Sequence, residues 1–213
     1  DFNITALVQQ WVNDPASNQG LLIVGGVLFG LALLAQGPDK LDAALAQAQR
    51  VGKRPEDPLY GPARLVEAEV RIARKDWAKA VELLVPFRDA GPLTSRANVS
   101  DRALLRLGQA YAELKQFDPA RQAYQLLTQR FPASDFIEEA FFGIGWTLQQ
   151  QKQFDQAIAS YAEVTKRTAA EVAARAQLQA GLCRAEQARW QGAVRDLLQV
   201  ALAYDYPELA ARA

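Results

Sequence analysis

Five times along the chain an aromatic residue or leucine is followed three residues later by alanine: Leu41/Ala44, Trp77/Ala80, Phe117/Ala120, Phe154/Ala157 and Trp190/Ala193, at intervals of 36, 40, 37 and 36 residues. Twelve residues before each alanine stands a small side chain, in turn Ala32, Ala68, Gly108, Gly145 and Gly181. A recurrence of this period means stacked supersecondary units, none of which can bury its apolar face alone. The spacing predicts a helical hairpin. Two antiparallel helices cross closely only where one offers a small residue, against which the alanine of the other is expected to rest. The preceding aromatic residue then closes the inner seam.

The unit over 101–134 shows the pattern most fully. Leu104, Leu107 and Tyr111 form one helical stripe and Ala120, Tyr124 and Leu127 the next. Phe131-Pro132 ends the second helix, because proline cannot continue it. Asp135 stands three residues ahead of Glu138 and is expected to cap the following helix. Leu104, Leu107, Gly108, Tyr111, Ala120, Tyr124, Leu127 and Pro132 fall on the eight signature positions of the tetratricopeptide repeat, which this chain therefore resembles from about 25 to 205 and most strongly over 101–165. The next unit has Phe141, Ile144, Gly145, Leu148, Ala157, Tyr161 and Val164, with Ala169 for the closing proline. The unit at Trp77 places Arg64, Glu67 and Arg71 on core positions unless its first helix is shifted by about one residue.

The resemblance implies an all-α fold, a right-handed α-solenoid of about five helix-turn-helix repeats near 25–58, 61–94, 101–134, 138–171 and 174–205. A separate segment, 1–23, precedes them, and 206–213 reads as the start of a further helix, as in a processed or truncated piece of a longer protein. Arg130-Phe-Pro-Ala-Ser134 looks like the repeats of bacterial cell-envelope scaffolds such as the TolA-binding and outer-membrane-assembly lipoproteins, which implies an envelope, periplasmic location.

Composition excludes several classes of function. The 24 basic and 24 acidic side chains cancel, so no global field draws the protein onto nucleic acid. Histidine is absent, which removes the usual acid-base group and transition-metal ligand. The single cysteine, Cys183, between Leu182 and Arg184, reads as a small core filler. Gly143-x-Gly145 lacks the Lys-Ser/Thr of a phosphate loop and reads as helix packing. No catalytic residue, metal site, cofactor or small-molecule substrate is expected.

The first forty residues stay open. Leu21–Ala35 is an unbroken apolar run of fifteen residues. It reads as the opening helix of the first repeat, or as a membrane-associated segment, although fifteen helical residues reach only about 22 Å of a roughly 30 Å hydrocarbon core. A third reading comes from Thr5-x-x-Val8-x-x-Trp11 and Asn18-x-Gly20-Leu-Leu-Ile23, which resemble the closing part of a DNRLRE domain; an amphipathic helix through Ile4, Leu7, Val8 and Trp11 is the alternative for 1–23.

Resemblance to the family implies that the first helices line a concave surface for a protein or peptide partner. Its groove positions fall on Arg102, Leu105, Gln109 and Ala112, on Glu139, Phe142, Trp146 and Gln149, and on Arg175, Leu178, Leu182 and Ala185. Phe142 and Trp146, four residues apart beside Leu105 and Leu178, form an aromatic-aliphatic stripe of the kind that anchors a partner helix or peptide. The same two aromatics also read as packing against the neighbouring repeat. The expected function is a protein-interaction scaffold; the alternative is a structural module that self-assembles through its solenoid ends, near Leu41 and Leu209, or is anchored to a membrane through residues 21–35.

Overall fold

Each of the five seam residues begins a helix. The computed structural model describes residues 41–50, 57–96 and 98–213, and among these the regular elements are all helical: α1 (Leu41–Arg50), α2 (Tyr60–Ala73), α3 (Trp77–Arg88), α4 (Ser100–Glu113), α5 (Phe117–Arg130), α6 (Ile137–Gln150), α7 (Phe154–Arg167), α8 (Glu171–Glu186), α9 (Trp190–Ala203) and the single turn α10 (Pro207–Ala210). The segment 1–23, the run 21–35 and Ala32 lie outside the described residues. None of the described helices is long and apolar enough to cross a membrane.

The chain divides into two units, 1–83 and 84–213. In the first, α1 packs on α2 around Ala44, Ala48, Leu59, Val66 and Val70, with Leu41 and Leu45 laid against them. Arg74 pairs with Asp42 across this contact. The first helix of the Trp77 unit is not shifted: Ala68 is fully buried, in the register of the other small residues. The charged side chains are accommodated by pairing. Arg64 lies 3.0 Å from the buried Glu67 and over the Tyr60 ring, and Arg71 lies 3.5 Å from Asp76. Burying either partner alone would leave an uncompensated charge.

In the second unit α4–α5, α6–α7 and α8–α9 are antiparallel hairpins, and α5 packs on α6 as α7 packs on α8, the stacking of an α-solenoid. One turn geometry joins the helices of each hairpin. Lys115, Lys152 and Ala188 adopt left-handed backbone (φ 58°, 59° and 56°), as Lys75 does in the first unit (φ 58°). The amide of the next residue then reaches back to the first helix, as in Gln116 N–H to Tyr111 C=O and Gln153 N–H to Leu148 C=O, both 2.9 Å. This is the Schellman arrangement, which satisfies carbonyls that the helix end would otherwise orphan.

The small residues serve a different neighbour from the one the spacing suggests. The room over Gly108, Gly145 and Gly181 is filled by Tyr124, Tyr161 and Leu197, one turn beyond the seam alanines. The alanine is simply too short to occupy it. Tyr124 is held on its other face as well: a Cβ on Gly143, in the following hairpin, would stand 2.6 Å from its ring. Gly143 and Gly145 are thus packing contacts.

The connection from α3 to α4 is tied down rather than loose. Leu93 is buried, and the Ser100 hydroxyl donates to its carbonyl at 2.5 Å. Arg130 donates to the carbonyls of Phe87 (3.3 Å) and Arg88 (3.0 Å), closing the end of α3. At the start of α6 the expected cap by Asp135 is not formed. Phe136 occupies the cap position without a side-chain bond, and Ser134 does the work instead. Its hydroxyl accepts from Phe136 N–H at 3.2 Å and donates to the Asp101 carboxylate at 2.6 Å, so one short side chain starts α6 and binds it to α4. The Arg-Phe-Pro-Ala-Ser motif is thereby explained by hairpin stacking.

Two outcomes test this packing. Alanine in place of Gly108 or Gly143 gains about 1 kcal/mol of helix propensity but overpacks a pinned ring at about 1–3 kcal/mol. Denaturant titration should therefore show net destabilisation, relieved in a double-mutant cycle with Tyr124→Leu. Conversely, Lys115→Gly removes left-handed strain and should raise stability by about 0.5–1 kcal/mol, whereas Lys115→Val should lower it.

Candidate partner-binding face

The first helices of successive hairpins lie against one another, α4 beside α6 and α6 beside α8. That contact decides which of the expected groove residues remain accessible. Leu105 is only 5% exposed and Leu178 only 1%. Leu105 is therefore core rather than surface, because the two faces of a first helix that flank its groove positions are covered by neighbours. The continuous stripe Leu105–Phe142–Trp146–Leu178 does not exist as an exposed feature.

What the structure does assemble is a cleft of about 330 Å³ on the α6–α8 side, lined by Phe142, Trp146, Arg175 and Leu178 together with Glu171 and Gln179. Leu178 forms part of its floor. Glu208, Leu209 and Arg212, at and beside α10, form another wall. Arg102, Leu105, Gln109, Gln149 and Leu182 are not among the lining residues. Arg102 and Gln109 are half-buried, and the Gln109 carbonyl oxygen accepts from Arg106 at 2.8 Å.

The aromatic pair is positioned by its neighbours. The Trp146 ring meets Phe117, the seam residue of the preceding hairpin, edge to face at 5.8 Å and 72°. Phe142 leans on Tyr161 with ring centroids 5.5 Å apart, and the Arg175 guanidinium lies over its ring at 4.5 Å. Such geometry is attractive beyond area burial and keeps both rings in one rotamer. Both stay half-buried, one edge packed and the other facing the cleft. Both aromatics thus pack against neighbouring helices and also line the cleft.

Behind the aromatics runs a polar relay. The Tyr161 hydroxyl donates to Gln149 Oε1 at 2.7 Å, and Gln149 Nε2 donates to Gln179 Oε1 at 3.0 Å, linking α7, α6 and α8. Burial raises the pKa of Tyr161, so its hydroxyl stays protonated as the donor. Gln149 is therefore engaged within the protein, and Gln179, which sequence reasoning passed over, presents the polar end of the relay to the cleft. Its signal was its place four residues after Arg175 on the same helix face. The rim carries both signs of charge: Arg175 and Arg212 against Glu171 and Glu208.

Cys183 is fully buried, and that burial pushes its thiol pKa up to about 11. A thiol so disposed stays protonated and packs as a small apolar group.

A family model described as tetratricopeptide repeat matches residues 102–134 and 139–167. No curated protein matches the sequence. Among solved structures the chain is similar to MamA protein, with a TM-score of 0.68 and 18% identity over 85% of this chain and 91% of that one. It is similar also to YrrB, a TPR protein with an unusual peptide-binding site, with a TM-score of 0.67 and 19% identity over 98% of this chain and 96% of that one. At such identities the likeness is one of fold. The hairpins over 102–134 and 139–167 are matched as tetratricopeptide repeats, and the described residues share the helical-hairpin fold of these solved repeat structures.

Proposed function

We propose that this protein is a non-catalytic interaction scaffold, which takes a helix or extended segment of a partner protein in the cleft between α6 and α8. The observation that carries the reading is the pair Phe142 and Trp146, each with one edge packed and the other lining the same cleft, beside the exposed Arg175. Preorganised aromatic anchors flanked by arginine are the residues that dominate protein interfaces, since they bury large areas at little cost in side-chain entropy. Tetratricopeptide repeats are generally scaffolds of this kind, which supports the same reading. The mixed charges of the rim favour a partner segment of mixed charge over a polyanion. A cleft of about 330 Å³ suits one or two side chains of such a segment.

The test uses the whole chain as bait in a lysate of its source, followed by calorimetry on the captured partner. Trp146→Glu and Arg175→Glu should each weaken binding by about tenfold or more, as expected for hot-spot residues, with unchanged circular dichroism. Leu105→Ala should destabilise the fold, by about 2–5 kcal/mol for a buried leucine, without a specific effect on binding at temperatures where it remains folded. Equal capture by the wild type and the equally helical Trp146 and Arg175 variants would move the binding surface elsewhere.

A further inference from the structure

Two glutamines stand where the preceding repeats have an alanine and a glycine. By the repeat spacing Tyr161 corresponds to Tyr124, Gln149 to Ala112 and Gln179 to Gly143. At Tyr124 the ring fills the room over Gly108 and Gly143, and Ala112, one turn after Gly108, is buried. Tyr161 fills the room over Gly145 in the same way, yet the following hairpin presents Gln179 instead of a glycine. The hairpins before it stack without either amide, so stacking does not explain why the two glutamines are there.

Together with the tyrosine they form a chain of hydrogen bonds with one direction. The Tyr161 hydroxyl stays protonated, since burial raises its pKa, and it donates to Gln149 Oε1 at 2.7 Å. Gln149 therefore points its Nε2 toward α8, where it donates to Gln179 Oε1 at 3.0 Å. The chain ends at Gln179 Nε2, which has no acceptor among the described residues. Gln179 lines the α6–α8 cleft beside Phe142, Trp146 and Leu178. A side-chain amide by itself offers either an oxygen or a nitrogen. Here the relay fixes which of the two is left for the cleft, and it is the donor. Arg175, one turn earlier on α8, adds a second donor-only group to the same lining.

We propose that Gln179 is a specificity-determining residue of the cleft, held by Gln149 and Tyr161 as a fixed hydrogen-bond donor to a main-chain carbonyl of an extended partner segment, whose apolar side chain lies against Phe142 and Trp146. The inference rests on the reading of the α6–α8 cleft as the partner site. An extended segment has free carbonyls, whereas those of a helix already accept from its own N–H groups four residues on. A partner helix therefore meets Gln179 through side chains only. The N–H groups that alternate with the carbonyls of an extended segment have acceptors at hand in Glu171 and Glu208, which line the same cleft. A segment that covers Gln179 without an acceptor leaves the amide desolvated and unpaired, which is how a single fixed donor discriminates between partners.

The test follows the side-chain amide of Gln179 by heteronuclear NMR in the full chain. Two uncharged, end-capped peptides are the probes: a short one with leucine between threonines, which is extended, and a stapled alanine helix bearing the same leucine. The extended peptide should bind and shift the Gln179 amide protons saturably. Gln179→Leu should weaken it by about tenfold, and Tyr161→Phe by several-fold, with unchanged circular dichroism. In Tyr161→Phe the Gln179 signal should also move before any peptide is added. Exchanging a carbonyl beside the leucine for a thiocarbonyl, a poorer acceptor, should weaken binding to the wild type and have no effect on Gln179→Leu. Tighter binding of the helix, binding of neither peptide, an unshifted Gln179 amide at saturation, or a thiocarbonyl effect that survives Gln179→Leu overturns the proposal. Trp146→Glu keeps the two readings apart. If the extended peptide still binds this variant, the cleft itself is not the partner site; if binding is lost there but not in Gln179→Leu, only the role of Gln179 falls.

Discussion

One aromatic ring sets the spacing of the best-formed part of the molecule. Tyr124 fills the room over Gly108 in its own hairpin and that over Gly143 in the next, so a single side chain fixes how the helices of one repeat cross and how closely the following repeat approaches. Two glycines are needed because any Cβ would enter the ring, and the ring is needed because nothing smaller fills both spaces. A packed interior has no slack to absorb either change. Tyr161 over Gly145 and Leu197 over Gly181 repeat the half of this device that lies within a hairpin.

The turns make the device repeatable. Among the described residues, a left-handed residue seven positions after Ala68, Gly108, Gly145 and Gly181 ends the first helix of each of these four units in the same way and hands the chain to an aromatic that begins the second. Three of these four residues are lysine, where glycine would relax the backbone. The strain is tolerated because the reach-back hydrogen bonds and the packed hairpin over-determine the turn. Fixing both ends of each helix also fixes its rotation. Phe142 and Trp146 can then face the cleft while Ile144, Gly145 and Leu148, on the same helix, are buried.

Much of this was legible in the residues. A period of 36 to 40 with a small side chain twelve before an alanine pointed to helical hairpins, and the structure shows that each seam residue begins a helix. The inference about what rests on the small residue went astray for a reason of size: alanine fits the seam, but only the longer side chain one turn later reaches across it. Asp135 looked like a helix cap, and Ser134 took that role because its hydroxyl also had Asp101 to bind. Leu105 looked like a groove residue and is buried, since a helical face does not reveal which neighbouring helix will cover it.

By itself, the sequence determined the repeat, the helix starts, the turns and the pinned glycines, since these depend on interactions within about forty residues, whose partners recur at fixed spacing. Only the tertiary structure decided which faces stayed open. The α6–α8 cleft requires side chains from two repeats and the terminal turn. Surface is what remains after every neighbour has packed. It is therefore a property of the assembled stack, and no single repeat encodes it.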